Sequence, residues 1–247
     1  MILVFLLLNL LPLKSSDYSE AVFRGDEAFQ KIDYPAAISA YEAALHEHPQ
    51  ETEILWRLAR AYVCLGEVSG EADRSHMFNT AEEYARRCVA FDSSKAEGHT
   101  WLAGALGYEA WYSGVSDQIR IAHELLHELD CALALNPGDD IAYSIKGSFY
   151  RALGDVGWVK RGIVSVIWGS LPPGGYEESE SALLKAIALA PRTMRHSYEL
   201  GVLYLDMDRK VEARKVLQQA SILPVQSAID RPRLVKIREL LSHLDTN

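Results

Sequence analysis

The sequence contains one pattern typical of zinc hydrolases, H-E-L-L-H at residues 123–127. Residues four apart share a helix face, so His123 and His127 could bind one zinc ion while Glu124 acts as a general base. A zinc hydrolase also needs a third ligand and a cleft that excludes water, and no further ligand motif follows. Leu129 and the residues that share its helix face occupy the packing positions of this predicted helix. We therefore expect both histidines on the opposite, solvated face and no bound metal. A zinc hydrolase is kept as the minor alternative.

Other catalytic patterns are missing from the sequence. It has no G-x-S-x-G motif and no glycine-rich phosphate loop. The three cysteines, Cys64, Cys88 and Cys131, are odd in number and fall within predicted helices. We interpret them as buried small hydrophobic residues rather than as disulfides or reactive thiols. The sequence therefore predicts a protein that is not an enzyme and needs no cofactor.

The overall charge excludes one class of partner. The 247 residues include 25 Lys and Arg against 34 Asp and Glu, which gives a net charge of −9. Nucleic-acid binding needs a basic surface, so we predict no nucleic-acid partner. Apolar residues make up 49% of the chain, which is typical of a folded protein rather than a disordered one.

The N-terminal residues are predicted to act in targeting. The apolar run from Ile2 to Leu13 would span roughly 18 Å as a helix, which is shorter than the hydrocarbon core of about 30 Å. That length suits the apolar part of a signal peptide, although no basic residue precedes it and no A-x-A cleavage site follows. We predict that residues 1–16 are a signal peptide or an N-terminal membrane anchor, so that the protein is exported to the periplasm or anchored to a membrane. A buried N-terminal helix is the alternative.

The remaining residues, 17–247, form an array of repeats. Five segments place small or apolar residues at helical spacing and then stop, four of them at a proline, which cannot continue a helix. Each follows another helical stretch with a small residue in its middle. This pattern resembles the tetratricopeptide repeat (TPR), a helix–turn–helix unit of about 34 residues. The second and third repeats are about 10 residues longer, and the fourth about 20. We place the repeats near 18–51, 52–95, 96–139, 140–193 and 194–227, with a cap at 231–244.

The predicted fold is all-α: a right-handed superhelical array of TPR-like helix hairpins with inserted segments and a C-terminal capping helix. Gly25, Gly147 and Gly201 occupy the middle of first helices, where only a small residue leaves room for a bulky side chain of the second helix. Asp230 is a plausible N-cap for the capping helix. The apolar stripe of that helix consists of Leu234, Ile237, Leu240, Leu241 and Leu244.

A narrower resemblance covers residues 96–244. The residues that carry it are His99, Thr100, Trp101, Ala103, Leu129, Asp130, Ala132, Leu135, Asn136, Pro137, Asp139, Tyr150, Leu153, Gly154, Val156, Trp158, Arg161, Gly169, Leu171, Pro172, Ala182, Lys185, Ala186, Pro191, Tyr198, Leu200, Gly201, Tyr204, Ala213, Leu217, Ala220 and Pro224. With these residues the segment resembles the regulator of microtubule dynamics family, in a bacterial-type form. The resemblance implies a helical-repeat protein without an agreed activity, since the membrane anchoring, microtubule link and organelle contacts belong to eukaryotic members. Microtubule binding does not carry over, because acidic tubulin needs basic partners.

An inserted segment in the fourth repeat, residues 158–176, supports two interpretations. It combines Trp158 and Trp168 with aliphatic side chains and two adjacent cations, one of them Arg161. It could be an amphipathic wedge that contacts a membrane or a partner. The favoured interpretation is an extra helix packed across the repeats, with both tryptophans in the core.

The first helices of such hairpins line a concave groove, which is the predicted binding surface. Arginines there can bind carboxylates through two hydrogen bonds, and aromatic rings can cover apolar side chains. We therefore predict a non-enzymatic scaffold that binds a peptide or protein segment in the groove. The alternative is a lipid- or membrane-associated module. The predicted groove residues are Trp56, Arg60, Tyr108, Arg151, Arg195 and Tyr198.

Overall fold

The computed structural model describes residues 15–156 and 169–246, and every regular element in these two stretches is an α-helix. The all-α fold predicted from the sequence is therefore confirmed. The helices are α1 (Ser15–Gln30), α2 (Tyr34–Glu47), α3 (Thr52–Val68), α4 (Glu71–Phe91), α5 (Ala96–Tyr112), α6 (Val115–Leu135), α7 (Asp140–Asp155), α8 (Tyr176–Leu189), α9 (Met194–Asp206), α10 (Lys210–Ala220) and α11 (Asp230–Thr246).

Successive helices pack as five hairpins, α1/α2 through α9/α10, and α11 closes the array. The first helices of the second to fifth hairpins begin at Thr52, Ala96, Asp140 and Met194, the residues at which the sequence pattern restarts. The additional residues of the second and third hairpins lengthen helices rather than loops, since α4 and α6 each span 21 residues against 14 for α2.

Glycine sets the crossing of the helices within three hairpins. A Cβ added at Gly25 would lie 2.3 Å from the ring of Tyr41, and one at Gly147 would lie 2.5 Å from Leu183. At Gly201 the distance to Leu217 would be 2.6 Å. These separations are shorter than any van der Waals contact, so the predicted role of the small residues is confirmed.

Apolar side chains hold neighbouring hairpins together. One buried cluster joins the first two hairpins, a second joins the second, third and fourth, and a third joins the last two with α11. The apolar stripe of α11 packs into this third cluster, where Ile237 and Leu244 are buried. Asp230 differs from its expected role as an N-cap. It is the first residue of α11, and its carboxylate accepts hydrogen bonds from the preceding backbone N–H groups of Gln226 and Ser227, each at 2.9 Å.

Two predicted segments lie wholly or mostly outside the described residues. The apolar N-terminal run falls before Ser15, and Trp158, Arg161 and Trp168 fall within 157–168. Targeting by residues 1–16 and both interpretations of the insert therefore stay predictions. Among the helices of 15–156 and 169–246, none combines the length and the apolarity that a membrane span requires.

A carboxylate near the start of α3 links the second and third hairpins. Glu53 accepts hydrogen bonds from Arg57 at 2.8 Å and from the Trp56 indole at 3.0 Å, and it pairs with Lys95 at the start of the next hairpin. Burial disfavours its charged form, but the hydrogen bonds from Lys95, Arg57 and Trp56 outweigh that effect and lower the pKa of Glu53 from 4.5 to about 2. The folded protein therefore holds this carboxylate ionised at pH values where the unfolded chain protonates it.

Acid should remove the stabilisation that Glu53 provides. A lowered pKa in the folded state contributes stability above about pH 4.5, and that contribution is lost as the pH falls towards 2. We expect Glu53→Gln to lower the free energy of unfolding at neutral pH, and we expect this difference from the unsubstituted chain to shrink as the pH falls from about 4.5 towards 2. Urea unfolding of both chains at about pH 6 and about pH 3 measures the difference. Glu177→Gln, at an exposed residue of α8, is the control. A difference that stays constant across this pH range would contradict the assignment.

Candidate binding surface

The array curves until non-adjacent hairpins meet. Glu67 at the end of α3 forms an ion pair with Arg195 in α9, although 128 residues separate them. Because α3 and α9 belong to the second and fifth hairpins, the faces that bear these two side chains lie on the inside of the curve. We call this face the inner wall and define it by the six predicted groove residues, Trp56, Arg60, Tyr108, Arg151, Arg195 and Tyr198.

A polar cluster occupies the centre of the inner wall. The Tyr108 hydroxyl donates to the Glu67 carboxylate at 2.6 Å, so one carboxylate oxygen serves both Tyr108 and Arg195. The Tyr108 ring stacks on Phe78 with centroids 3.9 Å apart. Burial, together with the nearby Glu199 carboxylate, raises the pKa of the Tyr108 hydroxyl above its ordinary value. The side chain of Glu67 is only 4% exposed and that of Arg195 is 23% exposed, so the carboxylate is buried while the guanidinium keeps some contact with solvent.

Arg151 and Tyr198 extend the cluster along α7 and α9. Arg151 donates to Asp206 at 2.9 Å and lies 3.7 Å from Glu199. The guanidinium of Arg233, from α11, lies 5.6 Å from the ring centre of Tyr198. The structure thus brings four of the six predicted residues, Tyr108, Arg151, Arg195 and Tyr198, into one region through acidic side chains that lie between them.

Trp56 and Arg60 form a second group near the start of the array. The Arg60 guanidinium lies 3.8 Å from the ring centre of Phe29 and 5.0 Å from that of Trp56. It also lies 3.6 Å from Asp26 and keeps 22% of its side chain exposed. Tryptophan and arginine are enriched among the residues that contribute most to binding at protein interfaces.

Sequence reasoning missed the acidic half of this surface. Glu67, Glu199 and Asp26 neutralise the arginines, and none of them stands out in its own repeat. The arginines at groove positions were the available signal for these acidic residues, because buried cations require anionic partners. Which carboxylate supplies the charge depends on contacts between repeats, and for Glu67 and Arg195 these repeats are not neighbours.

The H-E-L-L-H segment lies on the outer side of α6. His123 and His127 are both exposed, and the His123 ring donates to the Ser170 carbonyl at 2.8 Å. Glu124 accepts hydrogen bonds from Arg86 at 2.6 Å and from Arg120 at 3.3 Å. The carboxylate of Glu124 is thus occupied by two arginines, unlike a general base that faces a metal-bound water.

The three cysteines have different surroundings. Cys88 is buried against Gly98, and its thiol lies 3.6 Å from the Thr52 carbonyl. Cys131 is partly exposed rather than buried, because it lies one helical turn from His127 on the outer side of α6. Cys64 is also partly exposed as a residue, but its thiol faces the inner wall, and burial of the thiol is the main cause that raises its pKa above the ordinary value. All three are free thiols.

Sequence comparisons match almost the whole chain. The family model described as "Regulator of microtubule dynamics protein 1-3" matches residues 21–245. Regulator of microtubule dynamics protein 2 from Homo sapiens is 24% identical over 229 residues, which cover 89% of this chain and 56% of that protein. Regulator of microtubule dynamics protein 1 from Bos taurus is 26% identical over 228 residues, covering 89% and 72%. The chain therefore spans about half the length of the human relative.

Structural comparisons find TPR proteins. A thermophilic TPR protein from Thermus thermophilus superposes with a TM-score of 0.69 at 23% identity, covering 91% of this chain and 99% of that chain. Yeast Tom70 superposes with a TM-score of 0.59 at 15% identity, covering 95% of this chain and 41% of that chain. These similarities show that the fold is that of a TPR array.

Proposed function

The chain belongs to the regulator of microtubule dynamics family, and on that premise we propose that it is a non-enzymatic scaffold that binds a peptide or protein segment on its inner wall. A TPR array offers a curved surface far larger than a small-molecule pocket, which suits an extended or helical segment. The engagement of Glu124 by two arginines supports the non-enzymatic part of the proposal.

The observation that carries the proposal is the arrangement around Arg60. Its guanidinium lies between Phe29 and Trp56, two aromatic rings that remain partly exposed. A partner with an apolar side chain beside a carboxylate would cover the rings and share the guanidinium with Asp26. Aromatic residues and arginine dominate the binding energy of most protein interfaces, so this group is the expected anchor.

Changing Arg60→Gln should weaken partner binding by about tenfold or more, since a hydrogen bond to a charged group contributes about 1.5–3 kcal/mol. Partners would be cross-linked in the native host, identified by mass spectrometry, purified, and titrated against both chains. The matched control is Arg87→Gln. Arg87 also lies over an aromatic ring, 5.5 Å from Tyr84, but on α4, the second helix of the same hairpin.

Equal weakening by the two variants would point to loss of stability or to a different surface. Unchanged binding by Arg60→Gln would remove the inner wall as the binding site. Circular dichroism and thermal unfolding of each variant separate lost contacts from lost folding.

A further inference from the structure

The C-terminal segment, residues 225–233, contacts the start of the chain. The backbone N–H of Ala228 donates to the hydroxyl of Tyr34 at 3.1 Å, across 194 residues of sequence. Tyr34 opens α2 in the first hairpin and is 3% exposed. The segment that leaves the last hairpin therefore crosses the inside of the curve and reaches the first.

The start of α11 lies among inner-wall residues. Asp230 and Arg233 are 3% and 8% exposed, and the Arg233 guanidinium donates to Asp230 at 2.6 Å. Arg233 also lies over Tyr198. Burial is the main cause that raises the pKa of the Cys64 thiol. The Asp230 carboxylate lies close enough to this thiol to raise its pKa further. These neighbours come from α3 and α9, so the segment occupies space that a partner on the inner wall would need.

The contacts described between the segment and the first two hairpins are polar, although Asp230 and Arg233 are themselves buried. A hydrogen bond joins Ala228 to Tyr34, and in the body of α11 apolar packing begins only at Leu234 and Ile237. Neighbouring hairpins, in contrast, share clusters of fully buried aliphatic side chains. Elements held by few buried apolar contacts open locally, without unfolding of the whole domain.

We propose that residues 225–233 are an internal occupant of the inner wall, a clasp that must move before a partner reaches Tyr108, Arg195 and Tyr198. The inference rests on the proposed function and describes how that same surface is regulated. The closed clasp masks the central polar cluster and leaves the Arg60 group near the start of the array accessible. A partner anchored at Arg60 competes with the clasp for the rest of the wall.

Hydrogen exchange of the full chain tests local opening. We expect the Ala228 amide to exchange at least about tenfold faster than the Leu58 amide in the core of α3. Tyr34→Phe removes the acceptor of Ala228 and should speed its exchange a further fivefold or so, with no change at Leu58. Tyr62→Phe, which removes a hydroxyl bonded to Glu42 at 2.7 Å, is the control and should leave Ala228 unchanged. If the Ala228 and Leu58 amides exchange at equal rates, and if both rates change together in Tyr34→Phe, the clasp proposal is wrong.

A covalent lock tests the link to binding. The Tyr34 hydroxyl lies between the Ala228 amide and the Cys64 thiol, so a short bis-maleimide, rather than a direct disulfide, can join Ala228→Cys to Cys64 across that hydroxyl. Cys88→Ala and Cys131→Ser remove the other thiols. With the partner purified in the Arg60 experiment, we expect the locked chain to bind at least tenfold more weakly, whereas the same chain carrying Cys64→Ala, which the reagent cannot join, should bind normally after the same treatment.

The outcomes separate the two proposals. If the locked chain binds normally while Arg60→Gln still weakens binding, the clasp proposal is wrong and the scaffold proposal is kept. If neither the lock nor Arg60→Gln changes binding, the inner wall is not the binding surface and both proposals are wrong. Gain of binding in Tyr34→Phe, together with loss in the locked chain, supports both.

Discussion

Replacing Glu67 with leucine should destabilise the protein by about 2–3 kcal/mol, somewhat less than the usual cost of removing one partner of a fully buried ion pair, because the Arg195 side chain keeps 23% of its surface exposed. The guanidinium of Arg195 would stay within the curve of the array without its carboxylate, and the Tyr108 hydroxyl would lose its acceptor. Glu199 also lies near Arg195, but Arg151 already pairs with it. The cost of leaving the largely buried Arg195 charge without its partner exceeds the stabilisation from the apolar surface that leucine buries.

Urea unfolding of three variants measures this cost and identifies its origin. Glu67→Leu alone should show the full loss, whereas the double variant Glu67→Leu/Arg195→Leu should recover most of it, because apolar residues of similar volume often replace a buried pair at little cost. Asp130→Ala is the control, since Asp130 forms an exposed ion pair with Lys146, and its loss should cost less than about 1 kcal/mol. A double variant as unstable as Glu67→Leu would mean that the loss does not come from the isolated Arg195 charge.

The helices and their hairpins follow from local sequence. Glycine opposite a bulky residue, a proline after the second helix and apolar spacing act within about 40 residues, and these signals place Gly25 against Tyr41 and Gly201 against Leu217. The position of α11 after the last hairpin follows in the same way from its apolar stripe. Each of these features depends on neighbours in the chain, which is why the sequence suffices.

The binding surface depends on contacts that no local pattern encodes. The arginines of the inner wall are predictable because the first helices of such hairpins line the groove, but the partner of Arg195 lies 128 residues away. Whether α9 meets α3 is decided by the summed rotations between hairpins, and a few degrees at each junction move the two faces by many ångströms. The same reason explains why Asp230, locally a plausible cap, instead lies beside the inner wall.

The second prediction with a large effect is that two glycine-to-alanine substitutions change the stability of the protein in opposite directions. Gly25→Ala should destabilise the protein by about 2–3 kcal/mol, whereas Gly107→Ala should stabilise it by up to about 1 kcal/mol. Both glycines lie within helices, where alanine is intrinsically favoured. They differ in what a methyl group meets: the Tyr41 ring at 2.3 Å for Gly25, and Leu125 at an ordinary 3.6 Å for Gly107.

Tyr41 has no room to retreat from that methyl group. Its ring is fully buried, and its hydroxyl donates to Asp26 at 2.6 Å, so both ends of the side chain are held. The clash between the methyl group and the Tyr41 ring can then be relieved only if α1 and α2 move apart, and that movement breaks the packing between them. Thermal unfolding of the two variants measures the sign directly. If Gly25→Ala raised the melting temperature as Gly107→Ala does, α1 and α2 would have to cross at a greater distance than the one described, and glycine would not be what sets the crossing.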